Sequence, residues 1–239
     1  MNKLWHLVKG EIFRLFRYKI VFFSVLVSAI WALIIALTDN EAAVSLVPFL
    51  VLMDAGLMSI ILMGSSYFLE KQEGTMHSLL VSPVAIFNVL LAKIISALFM
   101  ALLSFVIVIG ATYIFHDFQA SVFLLLLYTL LVVLSHTAIG YVVTLYSRDF
   151  MQMLVRYIGM VMIFVIPMLL VGLNIIPKSW DFVVLISPTY SGQILFMSTI
   201  NQTIETWKII LAALYLVFIT ATLYPLVVLK KFQQVALEG

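Results

Sequence analysis

Six apolar runs dominate the sequence: Ile20 to Leu37, Val44 to Leu69, Ile94 to Phe115, Val122 to Tyr146, Tyr157 to Leu173 and Ile209 to Leu229. A helix rises 1.5 Å per residue and a bilayer core is about 30 Å thick, so about 20 apolar residues make one crossing. Barrel strands would be about half as long and would alternate in polarity. The runs therefore predict an all-α membrane protein with six transmembrane helices. With 64% hydrophobic and 10% charged residues, against about 25% charged in a soluble domain, the chain has too little polar surface for a water-soluble fold. Its 239 residues fit one domain, and no repeat or low-complexity linker marks a second.

Charge distribution gives the orientation. Lys3, Lys9, Arg14, Arg17, Lys19, Lys71, Lys93, Arg148, Arg156, Lys230 and Lys231 fall on one side of the runs, and only Lys178 and Lys208 on the other. Under the positive-inside rule this bias predicts cytoplasmic termini, with the 70–88 and 147–152 loops also inside. A net charge of +2 is too small to suggest a nucleic-acid partner. With no cysteine, disulfides and thiolate metal sites are excluded.

The first 19 residues carry the charge of a secretory signal, but the run behind them exceeds the usual 7 to 15 residues. It reads as a retained span, with cleavage near Ala42 or Ala43 as the competing reading. Within residues 1–19, Leu4, Trp5, Val8, Ile12, Leu15 and Phe16 share one helical face, while Lys3, His6, Lys9, Arg14 and Arg17 project away. This pattern predicts an amphipathic helix on the inner leaflet, its basic residues favouring anionic membrane lipids; a cytoplasmic extension of the first span is the alternative. Between the last two spans, 174–207 holds apolar pieces too short to cross, Phe182 to Ile186 and Ile194 to Met197, separated by Pro188. Short re-entrant helices at the outer face, shielded from lipid by neighbouring spans, are expected.

The loop after the second run reads Glu70-Lys71-Gln72-Glu73-Gly74-Thr75-Met76-His77-Ser78-Leu79-Leu80-Val81-Ser82-Pro83-Val84. A helix end with a charged patch gives way to a Gly-Thr break, then a short amphipathic helix carrying Leu79 and Leu80 and stopped by Pro83. Thr75 is placed to cap that short helix. An ordinary solvated loop has no need of this succession.

In these residues the chain resembles the type-2 family of ATP-binding-cassette exporter permeases. The family pattern runs close to Glu-Arg-Glu-x-Gly-Thr-x-Glu-x-Leu, then Pro; Glu70, Lys71, Glu73, Gly74, Thr75, Leu79, Leu80 and Pro83 fit it, while His77 departs from the usual acidic residue. The resemblance extends to the basic N-terminus, the six-span plan and the apolar outer segment. It implies a coupling helix that inserts into a separate ATPase subunit, two permeases with two ATPases, ATP and magnesium bound on the partner, and a place in the plasma membrane, in bacteria the inner one. The chain itself carries no Gly-x-x-x-x-Gly-Lys-Ser/Thr loop, so no cofactor and no catalytic residue is expected on it.

Two ionisable residues fall inside runs. Asp54 costs about 2.5 to 3.5 kcal/mol on insertion scales, so it should face the bundle interior or be protonated. It lies on a substrate path or between two copies, or is simply a carboxyl bonded to a hydroxyl. His136, flanked by Ser135 and Thr137, is either a ligand or proton carrier or a hydrogen-bonded core residue; no second residue at metal spacing accompanies it. Pro167 and Pro225 are candidate kinks. Export of an amphipathic or hydrophobic cargo is the leading reading; an ion-coupled transporter using Asp54 and His136, and an intramembrane enzyme, are the rivals.

Overall fold

The computed structural model describes residues 3–74, 84–177, 180–200 and 204–238. Among these residues every regular element is helical, as expected where lipid leaves backbone groups no partner but each other. Six helices are long and apolar enough to cross a membrane.

Helix α1 (Lys3–Arg17) stops at a single joint, Lys19, whose φ of 59° lies in the left-handed region. The first span, α2 (Ile20–Leu37), follows at once. The second span is compound: α3 (Asn40–Val51), a π-helical stretch (Leu52–Met58) and α4 (Ser59–Gln72) run on without a break. It is the most enclosed of the six. Helix α5 (Ile86–Phe115) forms the third span, α6 (Val122–Leu145) the fourth and α7 (Phe150–Gly172) the fifth. Side-chain caps set two of these starts, the Ser121 hydroxyl accepting from Leu124 N and Asp149 from Gln152 N.

Two short helices, α8 (Asp181–Val184) and α9 (Pro188–Met197), precede the sixth span. That span comprises α10 (Thr206–Leu223), a second π-helical stretch (Tyr224–Val228) and α11 (Leu229–Glu238). The expected kink at Pro225 thus takes the form of a widened turn, since Pro225 has no N–H to give. Pro167 sits inside an uninterrupted α7.

Spans two, three, five and six are longer than the hydrophobic runs. Helix α5 has 30 residues, about 45 Å at 1.5 Å each, longer than an apolar core of about 30 Å. Lys93, counted above among the charges on one side of the runs, lies inside α5.

The core sits around the second span and α6, which meet where side chains are small. A Cβ on Gly140 would lie 2.9 Å from Ile60 Cγ2 and 3.2 Å from its Cα, leaving no room for a methyl group without moving the backbone. Gly140→Ala is therefore expected to destabilise the protein by about 1–3 kcal/mol, read as a lower unfolding midpoint in detergent. The control Gly110→Ala, which meets nothing within 4 Å, should leave the midpoint nearly unchanged.

Candidate functional site

The motif identified in the sequence begins at the end of α4. Glu73 closes the helix, its N–H bonded to Leu69 O at 3.0 Å, and Gly74 N–H bonds to Lys71 O at 3.2 Å. Gly74 has φ +67°, the left-handed conformation that ends helices and that glycine adopts without steric cost. The expected break is thus present. Thr75, His77, Leu79, Leu80 and Pro83, the rest of the motif and its short helix, lie outside the described residues.

Glu70 does not face solvent. Its side chain is fully buried, with both carboxylate oxygens 2.6 Å from Lys93 Nζ on α5. The Ser66 hydroxyl, one turn earlier, also donates to it at 3.2 Å. Lys93 reaches a second carboxylate, Glu11 on α1, at 3.2 Å. Arg14 pairs with Glu11 one turn along α1 and lies 3.6 Å from Glu70. Two carboxylates and two cations therefore form one charge-balanced quartet across α1, α4 and α5. Only Arg14 has appreciable exposure, 22% of its side chain. Beside it, the Tyr18 hydroxyl donates to Glu73 at 2.5 Å.

Burial raises the Glu11 carboxyl above its ordinary value; Lys93 opposes that rise, Glu70 adds to it and Arg14 opposes it. Partial burial, then the bond to Glu73, pushes the Tyr18 hydroxyl up to about 12, so it remains a donor throughout the physiological range.

This arrangement divides the expected apolar face of α1 and adds a polar member to its buried side. Val8, Glu11 and Leu15 are the buried positions, whereas Trp5 and Phe16 are more than half exposed. Arg14, expected to project away, turns inward. The physical reason is charge complementarity: Glu70 and Lys93 give Glu11 and Arg14 buried partners. Periodicity ranks hydrophobicity and is blind to a polar stripe with partners elsewhere in the chain. Glu11 and Lys93 were missed as site residues for that reason; their only signal was a lone acid and a lone base, each within mixed or apolar sequence.

A cavity of about 30 Å³ adjoins the quartet, lined in part by Glu11, Ser66, Tyr67, Lys93 and Tyr141. It is sized for water rather than cargo. A larger concavity of about 460 Å³ lies at the opposite end of the bundle, with Asn40, Glu41 and Asp117 on its rim and Val44, Pro48, Met197 and Ile200 among its walls.

Asp54 faces the bundle interior, at 4% exposure. It lies in the π-helical stretch of the second span, where Ser28 on α2 donates to it at 2.5 Å and the Ser104 hydroxyl on α5 lies 2.7 Å from that of Ser28. His136 is fully buried on α6. Its Nδ1 donates to Val132 O at 2.8 Å, and Nε2 sits 3.5 Å from the Thr189 hydroxyl on α9. The two residues belong to separate hydrogen-bonded sets, and neither lines the cavities described above. No group of three His, Cys, Asp or Glu side chains among the described residues is placed to hold a metal ion.

Comparison with curated proteins returns no match. The sequence model of the family described as ABC-2 family transporter protein matches residues 39–229, which takes in the compound second span, the motif, the quartet's Glu70 and Lys93, the third to fifth spans and the sixth span as far as the start of α11; α1 and α2 precede the matched region. Six apolar helices, a helix-breaking motif after the second of them and a family match over most of the chain agree, and this multi-pass membrane protein belongs to the ABC-2 transporter family as its permease component.

Proposed function

We propose that the chain, as one transmembrane domain over 1–239, is the permease of an exporter driven by ATP hydrolysis on a separate subunit. The observation that carries this reading is the Glu70 to Val84 segment, which leaves a capped helix end at Gly74 and rejoins the bundle at α5. Both anchors, Glu70 and Lys93, are bolted together by a buried ion pair. A loop held at both ends can pass a push into two spans at once. The segment with Thr75, Leu79, Leu80 and Pro83, for which the sequence predicts a short helix, docks on the ATPase, with Glu73 and His77 as its polar contacts. ATP and magnesium bind on that partner.

The termini and this loop are cytoplasmic, in the plasma membrane, which for a bacterial cell is the inner membrane. Helix α1 lies along the inner leaflet with Trp5 and Phe16 toward lipid and Lys9 over the Trp5 ring. The α8–α9 pair is re-entrant: Thr189 meets His136, fourteen residues into α6 and about 21 Å from its start at 1.5 Å per residue. A second copy completes the permease, for which the little-buried fifth and sixth spans and α2 offer apolar faces. The polar-rimmed, apolar-walled concavity at the outer end suits an amphipathic or hydrophobic cargo such as a drug, peptide or lipid-like molecule. Asp54 and His136 serve as polar pins between spans, and the ion-coupled alternative draws no support from two separate sets that share no member.

Co-purification of the tagged chain in mild detergent should recover a stoichiometric ATPase. Changing Glu73 to Ala together with Leu80 to Ala should lower its recovery or its substrate-coupled activity at least about tenfold, the equivalent of about 1.4 kcal/mol of docking energy. Recovery of no nucleotide-binding protein across several detergents would overturn the reading.

A further inference from the structure

From the quartet's geometry we infer that Glu11, Arg14, Glu70 and Lys93 form a transmission lock that makes α1 a third moving arm of the ATPase-coupling apparatus. The inference rests on the reading that an ATPase acts on the Glu70 to Val84 loop, and goes beyond it by assigning positioning roles to Glu11, Arg14 and Lys93.

The two arms of the loop meet at Glu70 and Lys93, both within a few turns of it. The same Lys93 ammonium that holds Glu70 at 2.6 Å also holds Glu11 at 3.2 Å, and Arg14 reaches Glu70 as well as Glu11. A second tie, Tyr18 to Glu73, reaches the last turn of the α4 arm itself. Hydrogen-bonded ion pairs of this kind tolerate little change of distance. A shift of α4 or α5 by about 1–2 Å, the scale of helix movement in switching proteins, must drag α1 along or break buried charges apart. At its other end α1 is joined to the first span through one left-handed residue, Lys19. It can therefore swing about that joint while α2 stays packed against α5. Buried ionic groups are poor sources of net stability, and their best-attested use is to fix register or switch between states.

The natural absence of cysteine makes the test direct. Spin labels are placed on the full chain in complex with its co-purified ATPase, in nanodiscs, at Lys3→Cys on α1 or Gln72→Cys on the α4 arm, each paired with a reference at Thr206→Cys on α10. Distances are compared without nucleotide and with ATP trapped by vanadate. Both the Lys3 and Gln72 distances should shift by about 2 Å or more in the native background. In the variant Glu11→Leu, Arg14→Met, Tyr18→Phe, which leaves the Glu70–Lys93 pair intact, the Gln72 shift should remain and the Lys3 shift should fall to less than half.

A variant with a lowered unfolding midpoint is replaced by the milder Glu11→Gln, Arg14→Gln, Tyr18→Phe, which removes the same ties of α1 with polar side chains kept at positions 11 and 14, with the same expectation. A Lys3 distance that stays fixed in the native protein while Gln72 moves, or that moves equally in the uncoupled variant, overturns the lock. No nucleotide response at Gln72 overturns the functional reading itself, and the lock with it.

Discussion

Lys93→Met is expected to cost about 3–5 kcal/mol of stability, because it takes from the buried Glu11 and Glu70 carboxylates the buried cation that both share. The measurement is the unfolding midpoint of the purified permease in detergent. Lys93→Met combined with Glu70→Met should recover most of the loss. The double change removes one charge of each sign, keeps the Glu11–Arg14 pair and fills the space with apolar atoms. A double change no better than the single one would mean that the loss comes from packing of the lysine stem rather than from stranded charge.

The pH dependence of the single variant supplies an independent sign. Glu11 already has its carboxyl raised by burial against the pull of Lys93 and Arg14, and deleting Lys93 removes the larger of those two pulls. For a carboxyl raised in the folded state, the stabilising contribution is present below its ordinary value of 4.5 and is lost as pH rises through the raised value. The Lys93→Met deficit should therefore shrink on acidification from neutral pH. A deficit that grows instead would show that Glu11 is held chiefly by its remaining pairing with Arg14.

The second large effect is expected at His136. Replacing this fully buried imidazole with Ala opens a cavity where the second span, α6 and α9 converge, and removes the donor to Val132 O as well as the partner of the Thr189 hydroxyl. Cavity and orphaned polar groups together should cost about 2–5 kcal/mol. His136→Gln, which keeps a donor and an acceptor, should recover a substantial part. If transport is retained by His136→Gln in a permease of normal stability, the residue is a pin; if it is abolished there, His136 takes part in transport chemistry.

Much of the fold was legible because the bilayer leaves so few choices. Runs as long as Val122 to Tyr146 have one solution, and the helix stop at Gly74 is written in the glycine itself. What was not legible depended on approach between distant segments. Lys93 is a lone base ahead of an apolar run until α1 packs against α5, and Glu11 is an acid in a basic helix until Lys93 arrives. The helical extensions of α5 and of the second span beyond their apolar runs were hidden for a simpler reason: hydropathy ends where the oil ends, whereas a helix continues as long as its backbone bonds do. Asp54 and His136 were found as outliers in composition, and their hydroxyl and carbonyl partners are the part that only tertiary structure supplies.

The widened turn at Leu52–Met58 has a further meaning for how the second span reads. Each residue of an α-helix advances the direction of its side chain by about 100°, and a π turn takes in one residue more than an α turn does. The stretches before and after Asp54 are thus two amphipathic rulers laid end to end with their zero marks rotated by roughly one residue. Asn40–Val51 and Ser59–Gln72 each address a different set of neighbours, and the rotation occurs inside the membrane without breaking the chain of backbone bonds. Removing a single residue from this turn would leave both halves helical and the hydropathy of the span almost unchanged, yet would turn one half of the most enclosed helix to the wrong partners.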